Sequence, residues 1–203
     1  MTGKSEFDLA SGDKRRTLWI VLWLNVAIAV GFFVGGYLAD SNALLANGLD
    51  NSSDAIVYGL SLLALSRSGS WKRGAARFSG IMLLIFAVGV VADAVRRCLE
   101  GSDPGGILMI AMAALAGIVN LYCLRLLQKL QDKDVNLRAA TTFSFNDFIS
   151  NGGIIVAGVV VLVTGASWPD LVVGVAVAGI AIYGGIGILR DAHSEQRTAY
   201  DDG

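Results

Sequence analysis

The chain has 203 residues, of which 54% are hydrophobic and only 16% are charged, and its formal net charge is −1. An ordinary soluble domain carries about 25% charged residues, so this composition argues against one and indicates an integral membrane protein. The two cysteines, Cys98 and Cys123, lie far apart in or beside apolar blocks, which argues against a disulfide framework or a thiolate metal site. The net charge says little about partners, and no nucleic-acid partner is expected.

Six long apolar blocks, with charges between them, predict an all-α membrane protein with six transmembrane helices. A helix needs about 20 residues to cross the hydrocarbon core of a bilayer, and each block has about that length. In chain order, the predicted spans are residues 18–38, 44–65, 78–95, 106–127, 139–163 and 171–189. The first block lacks the features of a cleaved signal peptide, so we expect it to remain in the mature protein.

The lysines and arginines predict the orientation. Of the 16 in the chain, only Arg96 and Arg97 fall in the odd-numbered loops, and the other fourteen fall in the two termini and the even-numbered loops. The positive-inside rule therefore puts both termini in the cytoplasm. Residues 17–190 form the predicted six-helix domain. We expect residues 1–16 to be a flexible or interfacial arm, and residues 191–203 to be a mobile tail too short for a second folded domain.

Two of the predicted spans carry polar side chains at helical spacing. In NGLDNSSD, Asp50 and Asp54 are four residues apart and share a helix face, with Asn47 one turn before Asp50. The fifth span contains the similar stretch FNDFISNGG, in which Asp147 and Asn151 are again four residues apart. Each span therefore presents a column of oxygen donors beside an apolar run.

Three intramembrane aspartates need an explanation, because an aspartate at the bilayer centre costs about 2.5 to 3.5 kcal/mol on insertion scales. These two spans contain no lysine or arginine. Each aspartate could instead lie near a helix end, but the pairing of Asp50 with Asp54, together with Asp147, favours a site. Carboxylate and amide oxygens suit a divalent cation. Crowded carboxylates take up protons when a cation leaves, so the pattern predicts proton-coupled exchange.

The polar spans resemble those of the cation diffusion facilitator family. SNALLANGLDNSSDAIVYGLSLLA resembles the family's second helix, DVNLRAATTFSFNDFISNGGIIVAG its fifth, and TGASWPDLVVGVAVAGIAIYGGIGILRDA its last outer turn and sixth helix. The resemblance covers essentially the whole chain. It implies a homodimeric, multi-pass transporter in a cell's inner membrane, which exports a divalent metal cation, usually zinc, in exchange for protons by alternating access.

The resemblance also implies the ligands of the transported cation. By position, the family's ligands fall on Asp50, Asp54 and Asp147. Phe143 stands four residues before Asp147, where the family usually has His or Asp, and its side chain cannot bind a metal. Asn151 is the preferred replacement, with Asn47 or water next. Asn146 and Asn51 are weaker alternatives.

The chain departs from the family in two respects that affect its expected activity. Without the usual histidine, the ligands lose a preference for zinc over manganese, iron or cobalt. Zinc remains the first expectation, cadmium is also compatible, and no cofactor other than the transported cation is expected. The folded cytoplasmic domain that usually follows the sixth helix is missing from this sequence, so we expect a short form that dimerises through its membrane helices.

The remaining polar residues receive smaller roles. We expect Asn25 and Asn120 to be structural, and Asp93 to pair with Arg97 along one helix. His193, in the acidic tail, is expected to be solvated. The chain offers no serine with a base and no pair of metal-binding histidines, so an enzyme is not expected. The alternative to a transporter is a membrane scaffold whose aspartates hold a structural cation.

Overall fold

The computed structural model describes the backbone of residues 3–63, 69–129 and 135–201, with side chains over 15–59, 62, 76–128 and 147–190. This part of the chain contains helices and short turns and no strand. The helices are α1 (Gly3–Leu38), α2 (Asn42–Leu63), α3 (Gly69–Glu100), α4 (Gly106–Lys129), α5 (Val135–Thr164) and α6 (Trp168–Asp201). The prediction of an all-α protein with six helices is confirmed.

Among the residues that the structure describes, five helices are long and apolar enough to cross a membrane, with mean hydropathies from 1.8 to 2.3. Their spans are Arg15–Leu38, Ala76–Glu100, Gly106–Gln128, Asp147–Thr164 and Trp168–Arg190. The helix that is not among them is α2, in which NGLDNSSD replaces apolar residues. This helix packs against each of the other five, so the bundle surrounds its polar segment with the five apolar spans. The chain is therefore a multi-pass membrane protein.

Helical backbone extends beyond the predicted spans at both ends of the chain. Helix α1 begins at Gly3, inside the segment expected to be a flexible arm, and α6 continues to Asp201, through the expected tail. Neither extension contains an internal proline that would interrupt a helix. Adding residues to an existing helix is also much less costly than starting a new one. Helical backbone therefore continues outside the predicted membrane spans at both ends, whereas the expected mobility of the arm and the tail stays a prediction.

Two buried apolar clusters lie on either side of the polar segment of α2. One contains Ala43 and Leu44 in the first turn of α2, together with residues of α1, α4 and α5. The other contains Tyr58 and Leu62 toward the opposite end of α2, with residues of α1 and α4. The polar residues 47–54 lie between these clusters along the helix. They are thus enclosed along the helix axis as well as around it.

Candidate metal centre

The polar face of α2 points into the bundle. Asn47 and Asn51 are completely buried, and Asp50 and Asp54 are 8% and 6% exposed. The Nδ2 of Asn51 donates a hydrogen bond to the backbone oxygen of Asn47 at 2.9 Å, which holds that amide against its own helix. The side chains that the sequence places on one helix face are therefore all removed from lipid.

The polar face of α5 also points inward. Asp147 is 2% exposed and Asn151 is 1% exposed. The Nδ2 of Asn151 donates to the backbone oxygen of Asp147 at 2.8 Å, so the Oδ1 of Asn151 is turned away from its own helix. The two polar segments that the sequence singled out therefore both face the interior.

The structure brings these two faces together. The Nδ2 of Asn47 donates to the Oδ1 of Asn151 at 2.9 Å, which links α2 to α5. The carboxyl groups of Asp50 and Asp147 lie within hydrogen-bonding reach of each other. Asp54 is close enough to interact electrostatically with both of them. All five predicted ligands therefore occupy one buried region between α2 and α5.

The carboxylates of Asp50, Asp54 and Asp147 lie in one region but do not converge on one point. Across the described ranges, no three His, Cys, Asp or Glu side chains are grouped so that they could hold one metal ion. The oxygen of a carboxylate ligand lies about 2.0 to 2.2 Å from a bound zinc ion. Carboxylates that share one zinc ion must therefore converge on one point. A cation held by all three carboxylates would need them closer together than they are in the observed conformation.

Several buried oxygens in this region accept no hydrogen bond from the residues that the structure describes. They are Oδ1 of Asn47, Oδ1 of Asn51 and Oδ2 of Asp54. Because Nδ2 of Asn151 bonds a backbone oxygen, Oδ1 of Asn151 faces Asn47 and accepts the hydrogen bond from its Nδ2. This orientation leaves Oδ1 of Asn47 without a donor among the described residues. A buried polar atom without a partner costs about 1 to 3 kcal/mol. A cation bound here would satisfy these oxygens.

Asn120, for which the sequence analysis favoured a structural role, is a neighbour of the site. Its Nδ2 donates to Oδ2 of Asp147 at 3.3 Å, from α4 to α5. The only signal in the sequence was an amide inside an apolar span, and Asn25 gives the same signal. The Nδ2 of Asn25, however, bonds the backbone oxygen of Val21 in its own helix. The side chains of Phe143, Asn146 and His193 lie outside the described residues.

A second buried polar network lies at the end of the bundle where α2 begins. The carboxylate of Asp170, in the first turn of α6, accepts hydrogen bonds from the backbone N–H groups of Asn42 at 2.7 Å and Ala43 at 3.1 Å. It also accepts one from Oγ of Ser41, which in turn accepts the N–H of Leu44 at 3.2 Å. The N-terminus of α2 is therefore capped both by Ser41, the residue directly before the helix, and by Asp170 of α6.

Arg97 extends this network to α3. It pairs with Asp93 one turn earlier in α3, which confirms the predicted helical ion pair. It also pairs with the side chain of Asp40 and donates to the backbone oxygen of Asp40 at 2.6 Å. Asp93 in turn accepts a hydrogen bond from Nδ2 of Asn42 at 3.3 Å. The network thus joins the α1–α2 turn, α3 and α6.

Comparison with known proteins gives matches to a family model and to relatives that are named as cation transport proteins. Residues 18–195 match the family model described as the cation efflux transmembrane domain. The metal cation efflux system protein CzcD of Cupriavidus metallidurans is 25% identical over 176 residues, covering 81% of this chain and 56% of that protein. The zinc transporter ZitB of Yersinia pestis is 26% identical over 202 residues, covering 93% of this chain and 64% of that protein.

A third relative is named for cadmium and cobalt as well as for zinc. The cadmium, cobalt and zinc/H(+)-K(+) antiporter of Bacillus velezensis is 22% identical over 197 residues, covering 90% of this chain and 63% of that protein. The chain thus spans less than two thirds of the length of each of these relatives. All three are named as transport proteins, which agrees with the prediction that this chain is not an enzyme.

Proposed function

The chain belongs to the cation efflux family, and we propose that it moves a divalent metal cation out of the cytoplasm across the membrane that its helices span. One observation of the structure carries this proposal. Asp50 of α2 and Asp147 of α5 bring their carboxyl groups within hydrogen-bonding reach inside the bundle, although 97 residues separate them in sequence. Two buried carboxylates in contact favour a bound cation or a shared proton.

The proposed ligands are Asp50, Asp54 and Asp147, with an amide oxygen as the fourth. Asn47 suits the fourth position better than Asn151, because Oδ1 of Asn47 is free whereas Oδ1 of Asn151 already accepts a hydrogen bond. In this arrangement Asn151 orients Asn47. Zinc is the proposed cargo, since relatives are named as zinc transporters and zinc accepts oxygen ligands. Cadmium, cobalt, manganese and iron are compatible with the same donors.

Proton exchange follows from the chemistry of the ligands. A carboxylate must lose its proton to bind a metal, so binding releases protons and metal affinity rises with pH. A cation arriving from the cytoplasm would displace protons from the buried carboxylates. Protons arriving from the other side would displace the cation, and the site would return in its protonated form. This alternation makes the protein a metal/proton antiporter.

We place the protein in the bacterial inner membrane as a homodimer, with both termini in the cytoplasm. The orientation rests on the distribution of lysines and arginines, fourteen of which fall on one side. The dimer would form between membrane helices, several of which expose large apolar side chains, such as Phe78, Ile85 and Phe86 of α3. A second copy would cover part of such a face, and lipid the rest.

The test uses the full chain in sealed vesicles that contain a zinc-sensitive dye. We expect zinc uptake to depend on an imposed proton gradient and to be lost in Asp50→Ala. Asp103→Ala, which removes an exposed carboxylate, is the matched control and should transport as the wild type does. Undiminished transport by Asp50→Ala would contradict the proposal. Zinc binding by calorimetry without any flux would instead favour the scaffold with a structural cation.

A further inference from the structure

We infer that Asn120 of α4 is a positioning residue, which orients the carboxylate of Asp147 for cation binding. This inference rests on the proposed function. Asn120 is 1% exposed, and its Nδ2 donates to Oδ2 of Asp147 at 3.3 Å. An amide nitrogen cannot ligate a metal, so in this contact Asn120 acts on the carboxylate and not on the cation.

The packing of α4 on α5 keeps the donor in register with its acceptor. One turn before Asn120, a Cβ added at Gly117 would lie 3.8 Å from Cβ of Asn151, which is one turn after Asp147. Farther along the same pair of helices, a Cβ added at Gly106 would lie only 2.6 Å from the backbone oxygen of Gly158. The two helices are therefore in contact from the site to their far ends. Their close approach fixes the position of Asn120 relative to Asp147.

The hydrogen bond from Asn120 holds one carboxylate oxygen of Asp147 in place. Asn120 holds Oδ2, while Asp50 of α2 lies within hydrogen-bonding reach of the same carboxyl group. A carboxylate with one oxygen held in place loses less rotational freedom when the other binds a cation. Hydrogen-bond partners of metal ligands are commonly worth 10-fold to 100-fold in metal affinity. Loss of this donor should therefore weaken cation binding at Asp147.

A purely structural role for Asn120 makes a different prediction. Leucine has the same branching and the same number of side-chain heavy atoms as asparagine and suits a membrane interior, so Asn120→Leu keeps the shape of the side chain while it removes the donor. If Asn120 only fills space or joins helices, this variant should bind zinc normally. Asn25→Leu is the matched control, because Asn25 is also 1% exposed but bonds only its own helix among the described residues.

The experiment measures initial zinc transport against zinc concentration for the wild type, Asn120→Leu and Asn25→Leu in proteoliposomes, with zinc binding by calorimetry in parallel. We expect Asn120→Leu to raise both KM and Kd for zinc about 10-fold or more, and Asn25→Leu to change them less than about twofold. A wild-type KM and Kd for Asn120→Leu, with or without a lower maximal rate, would overturn the inference. A wild type that neither binds nor moves zinc, manganese, cobalt or cadmium would overturn the proposed function instead.

Discussion

Asp170, in the first turn of α6, accepts a hydrogen bond from the backbone N–H of Asn42, the first residue of α2, at 2.7 Å. The first turn of a helix has N–H groups without partners in the helix, and lipid supplies none. Asp170 is fully buried, so water does not replace it. A carboxylate from one helix thus makes it possible to bury the N-terminus of α2, the helix that carries Asp50 and Asp54.

Replacement of Asp170 should destabilise the protein. Asp170→Ala leaves the N–H groups of Asn42 and Ala43 without an acceptor, and we expect a loss of about 2 kcal/mol or more in the free energy of unfolding. Asp170→Asn retains one side-chain oxygen and should lose less. Unfolding by a denaturing detergent, starting from mixed micelles, measures the difference. Asp103→Ala is the control, and an equal effect of both alanine variants would rule out the capping role.

The same contact leaves no room for a side chain on α6 at Gly174. A Cβ there would lie 2.2 Å from Oδ1 of Asn42 and 2.9 Å from its backbone carbon. We therefore expect Gly174→Ala to separate α6 from α2 and to destabilise the protein by about 1 to 3 kcal/mol. Gly179 lies in the same helix with nothing within 4 Å of an added Cβ. Gly179→Ala should be neutral or stabilising by up to about 1 kcal/mol, and thermal unfolding in detergent compares the two.

Two adjacent arginines offer a matched test of the ion pairs. The side chain of Arg97 is 6% exposed, whereas that of Arg96 is 52% exposed, although both pair with Asp93. We expect Arg97→Ala to cost about 2 to 4 kcal/mol, because it leaves Asp93 and the backbone oxygen of Asp40 without their buried partner. Arg96→Ala should cost much less, because water screens this exposed ion pair. Equal losses of unfolding free energy in the two variants would show that burial of Arg97 is unimportant.

Local spacing predicted the residues of α2 and α5 that meet, because both faces follow directly from helical periodicity. Asp50 and Asp54, and likewise Asp147 and Asn151, are one turn apart and buried together. The partners of the remaining polar groups could not be read in this way. Asp170 reaches Asn42 across 128 residues, and Asn120 reaches Asp147 across 27. Such pairings depend on which helices become neighbours, and a single sequence does not specify that.

The order of the amide ligands also depended on the structure. From the sequence, Asn151 was the preferred fourth ligand because it shares a face with Asp147. The hydrogen bonds add that Oδ1 of Asn151 is occupied by Asn47, whose own Oδ1 is free. Which of the two amides donates depends on a third group, here the backbone oxygen that binds Nδ2 of Asn151. The spacing of residues along a helix does not reveal such a partner. The choice between the two ligands remains a prediction.

That choice can be tested by removing each amide in turn. We expect Asn47→Leu to weaken zinc binding about 10-fold or more, because it removes a ligand oxygen, and Asn151→Leu to weaken it less, because it removes only the group that orients Asn47. Calorimetry on the purified protein gives both dissociation constants. Asn25→Leu again controls for the loss of a buried amide. A larger loss in Asn151→Leu than in Asn47→Leu would restore Asn151 as the ligand.

The residue at position 143 should govern the choice of metal. Phe143 lies one helical turn before Asp147 in α5. It occupies the position at which the cation diffusion facilitator family usually has His or Asp. An imidazole suits zinc better than it suits manganese, which prefers oxygen ligands. We therefore expect Phe143→His to bind zinc more tightly and to raise the preference for zinc over manganese by about 10-fold or more.

The control for this substitution is Phe148→His on the same helix. Phe148 is 40% exposed, so a histidine there adds an imidazole to α5 at a position directed away from the buried carboxylates. Transport of zinc and manganese, measured separately for the wild type and both variants, gives the two selectivity ratios. We expect the ratio to rise only in Phe143→His. An unchanged ratio in that variant, or an equal rise in Phe148→His, would mean that position 143 does not reach the cation and that the oxygen ligands alone set the preference.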